Sequence, residues 1–375
     1  MMVPPTGLQP EPAPNPRRRR FDWPAFATAM VLGTAGGFVC FRLHVPLAFM
    51  IGAMVATTVA ALGGVRTMVP QRLRDGLVIV LGIMLGSSFT PALLGHLGEW
   101  SVSLIFMAVY IAVAAGLGTL YLRRFARYEP PTAYFTAMPG GFTEMVMMGG
   151  AMGGDDRSIA LGHSLRIMLV VMTVPFAFQA LPGYDPAGRD WSLHGLGPYP
   201  WELDLIDYVV IAACFVGAPV AQRLGIPAGI LVGPMLLSAA LHLTGVTAVK
   251  PPGLLVAAAQ VVIGASIGGR FQRVPLMRIA RTAGVAAGLT LLLLVVTLVL
   301  SLAVHLLTGL SLAGLILAFA PGGLAEMSLV ALALHVDAAF VATHHIVRIV
   351  LIILFAPAAY HLWRRWVGRK EAPGA

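Results

Sequence analysis

This sequence predicts an all-α polytopic membrane protein folded as two inverted repeats with broken or re-entrant helices. Three observations point there. The chain of 375 residues is 58% hydrophobic and only 11% charged, where soluble domains carry about 25% charged residues. Its apolar residues come in stretches of about 20, the length that crosses a bilayer. A set of rare Pro, Gly, Glu, His and Arg residues also recurs in the second half in the order of the first.

In chain order, residues 1–24 form a Pro-rich tail read as disordered, with Arg17–Arg20 near its end. The first repeat, 25–181, holds apolar stretches near 25–43, 46–64, 76–94 and 101–122, a broken stretch at 132–150, and another near 159–180. No cleavage site is evident after the first stretch, so it reads as a retained helix and not as a signal peptide. A polar loop, 182–202, carries Asp185, Asp190, Trp191 and Trp201 and joins the halves. The second repeat, 203–363, holds stretches near 203–222, 226–243, 254–269, 283–306, a broken one at 311–333, and 338–362. Residues 364–375 form a cytoplasmic tail.

The duplication keeps register through separate matches. Pro46 and Gly52 correspond to Pro227 and Gly233, and Gly82 and Gly86 to Gly264 and Gly268. Pro139-Gly140-Gly141-Phe142-Thr143-Glu144-Met145 returns as Pro321-Gly322-Gly323-Leu324-Ala325-Glu326-Met327, and His163, Arg166 and Pro175 return as His345, Arg348 and Pro357. The shift is 181 at the first match (227 − 46) and 182 at the later ones (348 − 166). Chance likeness between greasy helices would not keep such rare residues in step, and one fused duplication is a common transporter plan.

Charge sets the topology. A formal net charge of +9 would suggest nucleic acid in a soluble protein. Here the cations sit in short runs between apolar stretches, which the positive-inside rule explains, so no nucleic-acid partner is expected. An odd number of crossings per half places Arg66, Arg72 and Arg74, then Arg123, Arg124 and Arg127, then Arg223, then Arg270, Arg273, Arg278 and Arg281 all inside, with both termini. Six full crossings per half would put the last cluster outside. The broken stretches would then re-enter, or another element would supply the odd count. The expected location is the bacterial inner (cytoplasmic) membrane.

The residues most able to carry function are the two PGGxxEM segments. Pro and paired Gly free backbone groups that cannot face lipid and survive only where they line a cavity or site. Gly140, Gly141, Gly322 and Gly323 belong to that break. Glu144 and Glu326 follow by three residues; they either cap free N–H groups at a helix start or bind a proton or cation, since intramembrane carboxylates are expensive. Thr143 adds a hydroxyl that Ala325 lacks. His163 with Arg166, and His345 with Arg348, share a helix face at i, i+3. The Arg could pair with the Glu of its own half, hold an anionic solute, or anchor at lipid headgroups; the His could shuttle protons. Asp155, Asp156 and Asp337 read as helix caps. The recurring glycines at 52, 82, 86, 233, 264 and 268 read as close helix packing. Cys40 and Cys214 lie in apolar stretches without metal-ligand spacing.

On the duplicated P-x5-G segment, the duplicated PGG-x2-EM segment and the His/Arg helix after each, the chain resembles the bacterial AbrB membrane family, also called the AbrB duplication family. The likeness covers roughly residues 25–365. The family is unrelated to the small DNA-binding proteins that share its name, and members have been labelled ammonia monooxygenase or regulator of gene expression. The residues do not favour the first label. Oxygenase chemistry needs a metal held by His and carboxylates; the ten His residues are scattered, and adjacent His344 and His345 point different ways on a helix. No GxxxxGK[ST] loop suggests ATP hydrolysis.

The expected function is a secondary transporter moving a small solute, an anionic one among the candidates, with a coupling proton or cation. The alternatives are a passive channel, and a membrane scaffold or sensor acting indirectly on gene expression. No enzyme activity, cofactor or metal is expected; the expected partners are the lipid bilayer, the solute and a second copy of the chain.

Overall fold

The protein is described here by a computed structural model covering residues 21–95, 97–179, 192–272 and 274–371. The N-terminal tail to Arg20, most of the inter-repeat loop, and Arg273 lie outside the described residues. Among those described there is no strand. The first half consists of α1 (Trp23–Arg42), α2 (Ala48–Leu62), α3 (Gln71–Gly86), α4 (Trp100–Tyr121), α5 (Pro130–Ala137), α6 (Phe142–Ala151) and α7 (Asp156–Gln179). The second consists of α8 (Leu205–Cys214), α9 (Gly217–Arg223), α10 (Gly229–Leu243), α11 (Gly253–Gly268), α12 (Leu276–Thr308), α13 (Leu312–Phe319), α14 (Leu324–Ala333) and α15 (Ala338–Glu371). Seven described segments of 19–33 residues are long and apolar enough to cross a membrane, and the chain is a multi-pass membrane protein.

The boundaries repeat. α2 and α10 begin at 48 and 229, a difference of 181; α5 and α13, α6 and α14, and α7 and α15 begin 182 apart (312 − 130, 324 − 142, 338 − 156). The backbone repeats too. Left-handed residues recur in pairs at 44 and 225, 47 and 228, 64 and 245, 127 and 309, and 153 and 335. In three of the five pairs one member is Gly and the other is not, so the conformation is kept even where the residue least strained by it is lost. Two predicted stretches differ from the observed helices. The 76–94 stretch is a helix that ends at Gly86 and gives way to 3-10 turns, and the 203–222 stretch is interrupted between Cys214 and Gly217.

Helix starts are chemically marked. Ser311 accepts a hydrogen bond from the Gly314 N–H at 3.3 Å, Asp337 accepts one from the Phe340 N–H at 3.0 Å, and two prolines open α5, where a missing N–H does no harm. Asp337→Ala should lower stability by about 1 kcal/mol, read as a lower melting temperature of the detergent-solubilised protein.

Close packing between the halves centres on α2, α3, α10 and α11. A Cβ on Gly264 or Gly268 of α11 would strike the backbone or side chains of Met50, Met54 and Thr57 on α2, and one on Gly82 or Gly86 of α3 would strike Leu231, Met235 and Ser238 on α10. In both pairs residue numbers rise together, so the paired helices run parallel. Loops gather at two ends. Val45–Phe49, Ser87–Ser88, Gly195–Pro198, Lys250 and Ala333–His335 share one. Ala126–Tyr128, Asp155–Ser158, Arg270 and Arg278–Thr282 share the other. At the second end the Gln272 side-chain amide donates to the Thr67 hydroxyl at 2.6 Å. α3 thus runs from the second end to the first, and α11, its counterpart in the other half, runs back.

The broken stretches are helical hairpins that begin and finish at the same end. In the first, the Thr132 hydroxyl near the start of α5 accepts from the Asp155 N–H beyond α6 at 2.9 Å, while Met145 packs on Gly140 at the tip. In the second, Gly314 near the start of α13 faces Phe340 in the first turn of α15, and Met327 packs on Gly322 at the tip. At about 1.5 Å per residue, neither the 8-residue nor the 10-residue arm could cross a hydrocarbon core of roughly 30 Å.

Candidate functional site

Each hairpin tip leaves the last carbonyls of its first arm without helical partners, and inside a bilayer no water can satisfy them. The His/Arg pairs do so. In the first half, His163 Nε2 lies 2.8 Å from the Phe135 carbonyl, Arg166 Nη1 donates to the Met138 carbonyl at 2.8 Å, and Nη2 donates to His163 Nδ1 at 3.0 Å. The second half repeats this. His345 Nε2 lies 3.0 Å from the Leu317 carbonyl; Arg348 donates to the Ala320 and Gly322 carbonyls, each at 2.6 Å, and to His345 Nδ1 at 2.9 Å. Because Arg has no acceptor, the Nδ1 contact fixes the tautomer. Nδ1 accepts, so Nε2 carries the proton and donates to the carbonyl, and the imidazole is neutral. The guanidinium also faces the negative end of the half-helix dipole.

Arg166 and Arg348 are 2% and 1% exposed, and both His are fully buried. Each Arg lies ten residues into its helix (166 − 156, 348 − 338), about 15 Å of rise and half the depth of a roughly 30 Å core. His344 is buried as well. Its Nε2 lies 2.8 Å from the Ser103 hydroxyl and its Nδ1 2.8 Å from the Phe340 carbonyl.

Glu144 and Glu326 stand in the first turns of α6 and α14, and both are half-buried. Their carboxylates fold back over Gly141 and Gly323, so closely that a Cβ on either glycine would collide with them. The first glycine of each pair lies against the Met145 or Met327 side chain and the second against the carboxylate. A negative charge at the start of a half-helix is stabilised by the dipole. Among the described residues neither Glu is in an ion pair. Pairing of Arg166 with Glu144 and Arg348 with Glu326, one of the sequence readings, is not seen, because the guanidinium forks are taken up by backbone carbonyls. Thr143 is exposed, beside the first tip.

Two residues without a sequence signal bring the hairpins together. Tyr110 of α4 stacks on Phe319 of the second hairpin, with ring centroids 5.7 Å apart and planes at 11°, and it lies within electrostatic reach of both Arg166 and Arg348. Arg270, just after α11, places its guanidinium 4.1 Å from the ring centroid of Phe142 at the first tip and within electrostatic reach of Glu326 at the second. The charge rule groups Arg270 with a basic loop. Its guanidinium instead turns inward between the two tips.

A family model described as "Transition state regulatory protein AbrB" matches residues 49–364. YhjN of Bacillus subtilis (strain 168) is 26% identical over 368 residues, covering 91% of this chain and 94% of that protein. A protein of Escherichia coli (strain K12) named "Putative regulator AbrB" is 26% identical over 337 residues, covering 88% of this chain and 94% of its own length.

Proposed function

This chain belongs to the AbrB family, and on that premise we propose that it is a secondary transporter that moves a small solute across the bacterial inner membrane with a proton or cation as the coupling ion. The observation that carries this reading is a pair of hairpin tips linked through Arg270, each with a carboxylate at its helix start that is in no ion pair among the described residues while its helix end is locked by a buried Arg. Discontinuous helices meeting at the midplane are the usual site plan of inverted-repeat carriers.

The opposed directions of α3 and α11 favour inverted repeats. So does charge. The end that collects Arg157, Arg270, Arg278 and Arg281 is the cytoplasmic one by the positive-inside rule, whereas among the described residues the cavity at the opposite end is lined by Lys250 and no arginine. Both termini are then cytoplasmic, the first hairpin enters from inside and the second from outside. In this reading Glu144 and Glu326 take the coupling ion, and the His/Arg pairs hold the hairpins in shape. We read the protein as a carrier and not an enzyme. An influence on gene expression, as the name of the Escherichia coli relative suggests for that protein, would here follow from altered flux of a metabolite.

The test is solute- and pH-gradient-driven flux in proteoliposomes, with Glu144→Gln plus Glu326→Gln beside the wild type. Coupled flux should fall about tenfold or more while the melting temperature stays near that of the wild type. Coupled flux surviving the double substitution would reduce the carboxylates to helix-end support. Uncoupled, non-saturating flux would favour a channel, and no flux across a broad solute panel would favour the scaffold or sensor reading.

A further inference from the structure

The site's chemistry can be carried one step further, resting on the transport reading above: the geometry points to an anion, carried as a carboxylate or phosphate group, as the solute bound at Arg270. A cavity of about 730 Å³ opens at the end where the basic loops gather and runs inward to Phe142 and Arg270. Arg157, Arg278 and Arg281 line its outer part and are exposed, and Asp155 is the carboxylate that accompanies them in the lining. A net positive lining around a low-dielectric recess concentrates anions there.

At the inner end the centre of the Arg270 guanidinium sits 4.1 Å from the Phe142 ring centroid. A guanidinium grips planar anions in a fork through its N–H edge. One terminal nitrogen of Arg270, Nη1, is buried and has no hydrogen-bond partner among the described residues. Glu326 is near enough to be felt electrostatically, yet the two form no ion pair among the described residues. A buried donor without an acceptor is expensive unless something supplies one. The segment is also held in place, since Gln272 two residues on is tied to Thr67.

The two halves differ at this point. The counterpart of Arg270 in the first half is Ser88 (270 − 182), which lines the cavity at the opposite end. A cationic pocket is thus built on one side of the hairpin tips, where an anion leaving or entering on the cytoplasmic side would be held.

An anionic headgroup from the bilayer and a free solute offer the same chemistry, so the test separates them. Full-length protein would be placed in nanodiscs of phosphatidylcholine alone and titrated calorimetrically with succinate, inorganic phosphate and, as the uncharged control, succinamide. The measurement would be repeated with a third of the lipid as phosphatidylglycerol. Wild type should bind succinate or phosphate and not succinamide. Arg270→Gln should weaken binding at least tenfold, with Arg270→Lys between. Arg278→Gln plus Arg281→Gln, both at exposed positions, should weaken it severalfold and flatten its salt dependence without altering folding, which keeps the test valid if Arg270→Gln misfolds. If phosphatidylglycerol abolishes binding and co-purifies with wild type but not with Arg270→Gln, the anion is a headgroup and the solute assignment falls. Equal binding by wild type and the Arg278/Arg281 variant, or no anion binding by wild type, overturns the site. Binding without any flux would preserve the anion site and sink the transport reading; flux of an uncharged or cationic solute without anion binding would do the reverse.

Discussion

Arg348→Met should leave little folded protein. The side chain is 1% exposed, and its removal strands the Ala320 and Gly322 carbonyls and His345 Nδ1, all at a depth where water cannot replace it. Each stranded buried group costs about 1–3 kcal/mol, so the three together cost roughly 3–9 kcal/mol, a large part of the stability of an ordinary domain. Thermal unfolding monitored by size-exclusion chromatography in detergent would read this as a fall in melting temperature or loss of the monodisperse peak. Arg348→Lys should rescue only in part, because an ammonium is a point donor and cannot reproduce the fork across two carbonyls and a ring nitrogen. Arg166→Met should behave alike, since its fork meets the same class of partners. A wild-type melting temperature for Arg348→Met would show that the hairpin does not depend on this cap.

Gly264→Leu should be the second severe lesion. Its Cβ would land on the Met50 carbonyl and against Ala53, so α2 and α11 would have to separate along their length. Forcing bulk into such a contact costs about 1–3 kcal/mol or more, here across the seam that joins the halves. Gly82→Leu, which meets Leu231 and Pro234 on the mirror seam between α3 and α10, should match it. Gly284→Ala is the control. Nothing lies within 4 Å of a Cβ there, so it should be neutral or stabilising by up to about 1 kcal/mol through helix propensity. Melting temperatures of the three variants would separate a seam defect from a general intolerance of glycine replacement.

What the sequence made legible follows from period and rarity. Long apolar stretches, the offset of 181 to 182, and the breaks at Pro139 and Pro321 are all written in residue type and spacing, and helix starts at 130 and 312 or 142 and 324 follow them. Glycine spacing at 82 and 86 and at 264 and 268 signalled close packing, though not that the partners belong to the opposite half. That needs the fold, because a small residue says a neighbour is near without saying which. The three readings left open for Arg166 and Arg348 had the same origin. An i, i+3 pair states that His and Arg share a face, but the partners are backbone carbonyls 26 to 30 residues upstream, and carbonyls carry no sequence identity. Arg270 was hidden for a different reason: it stands among loop arginines that obey the charge rule, and only its path to Phe142 sets it apart.

The most direct test of the central claim, that two equivalent hairpins enter from opposite sides and meet, is sidedness of labelling at their first residues. Glu129 and Ser311 are exposed N-cap residues of α5 and α13 and are 182 positions apart (311 − 129). With Cys40 and Cys214 replaced, single cysteines at 129 and 311 would be challenged in intact cells and in inverted vesicles with a membrane-impermeant thiol reagent. The cysteine at 311 should label only in intact cells and the one at 129 only in inverted vesicles. Labelling of both from the same side would contradict it.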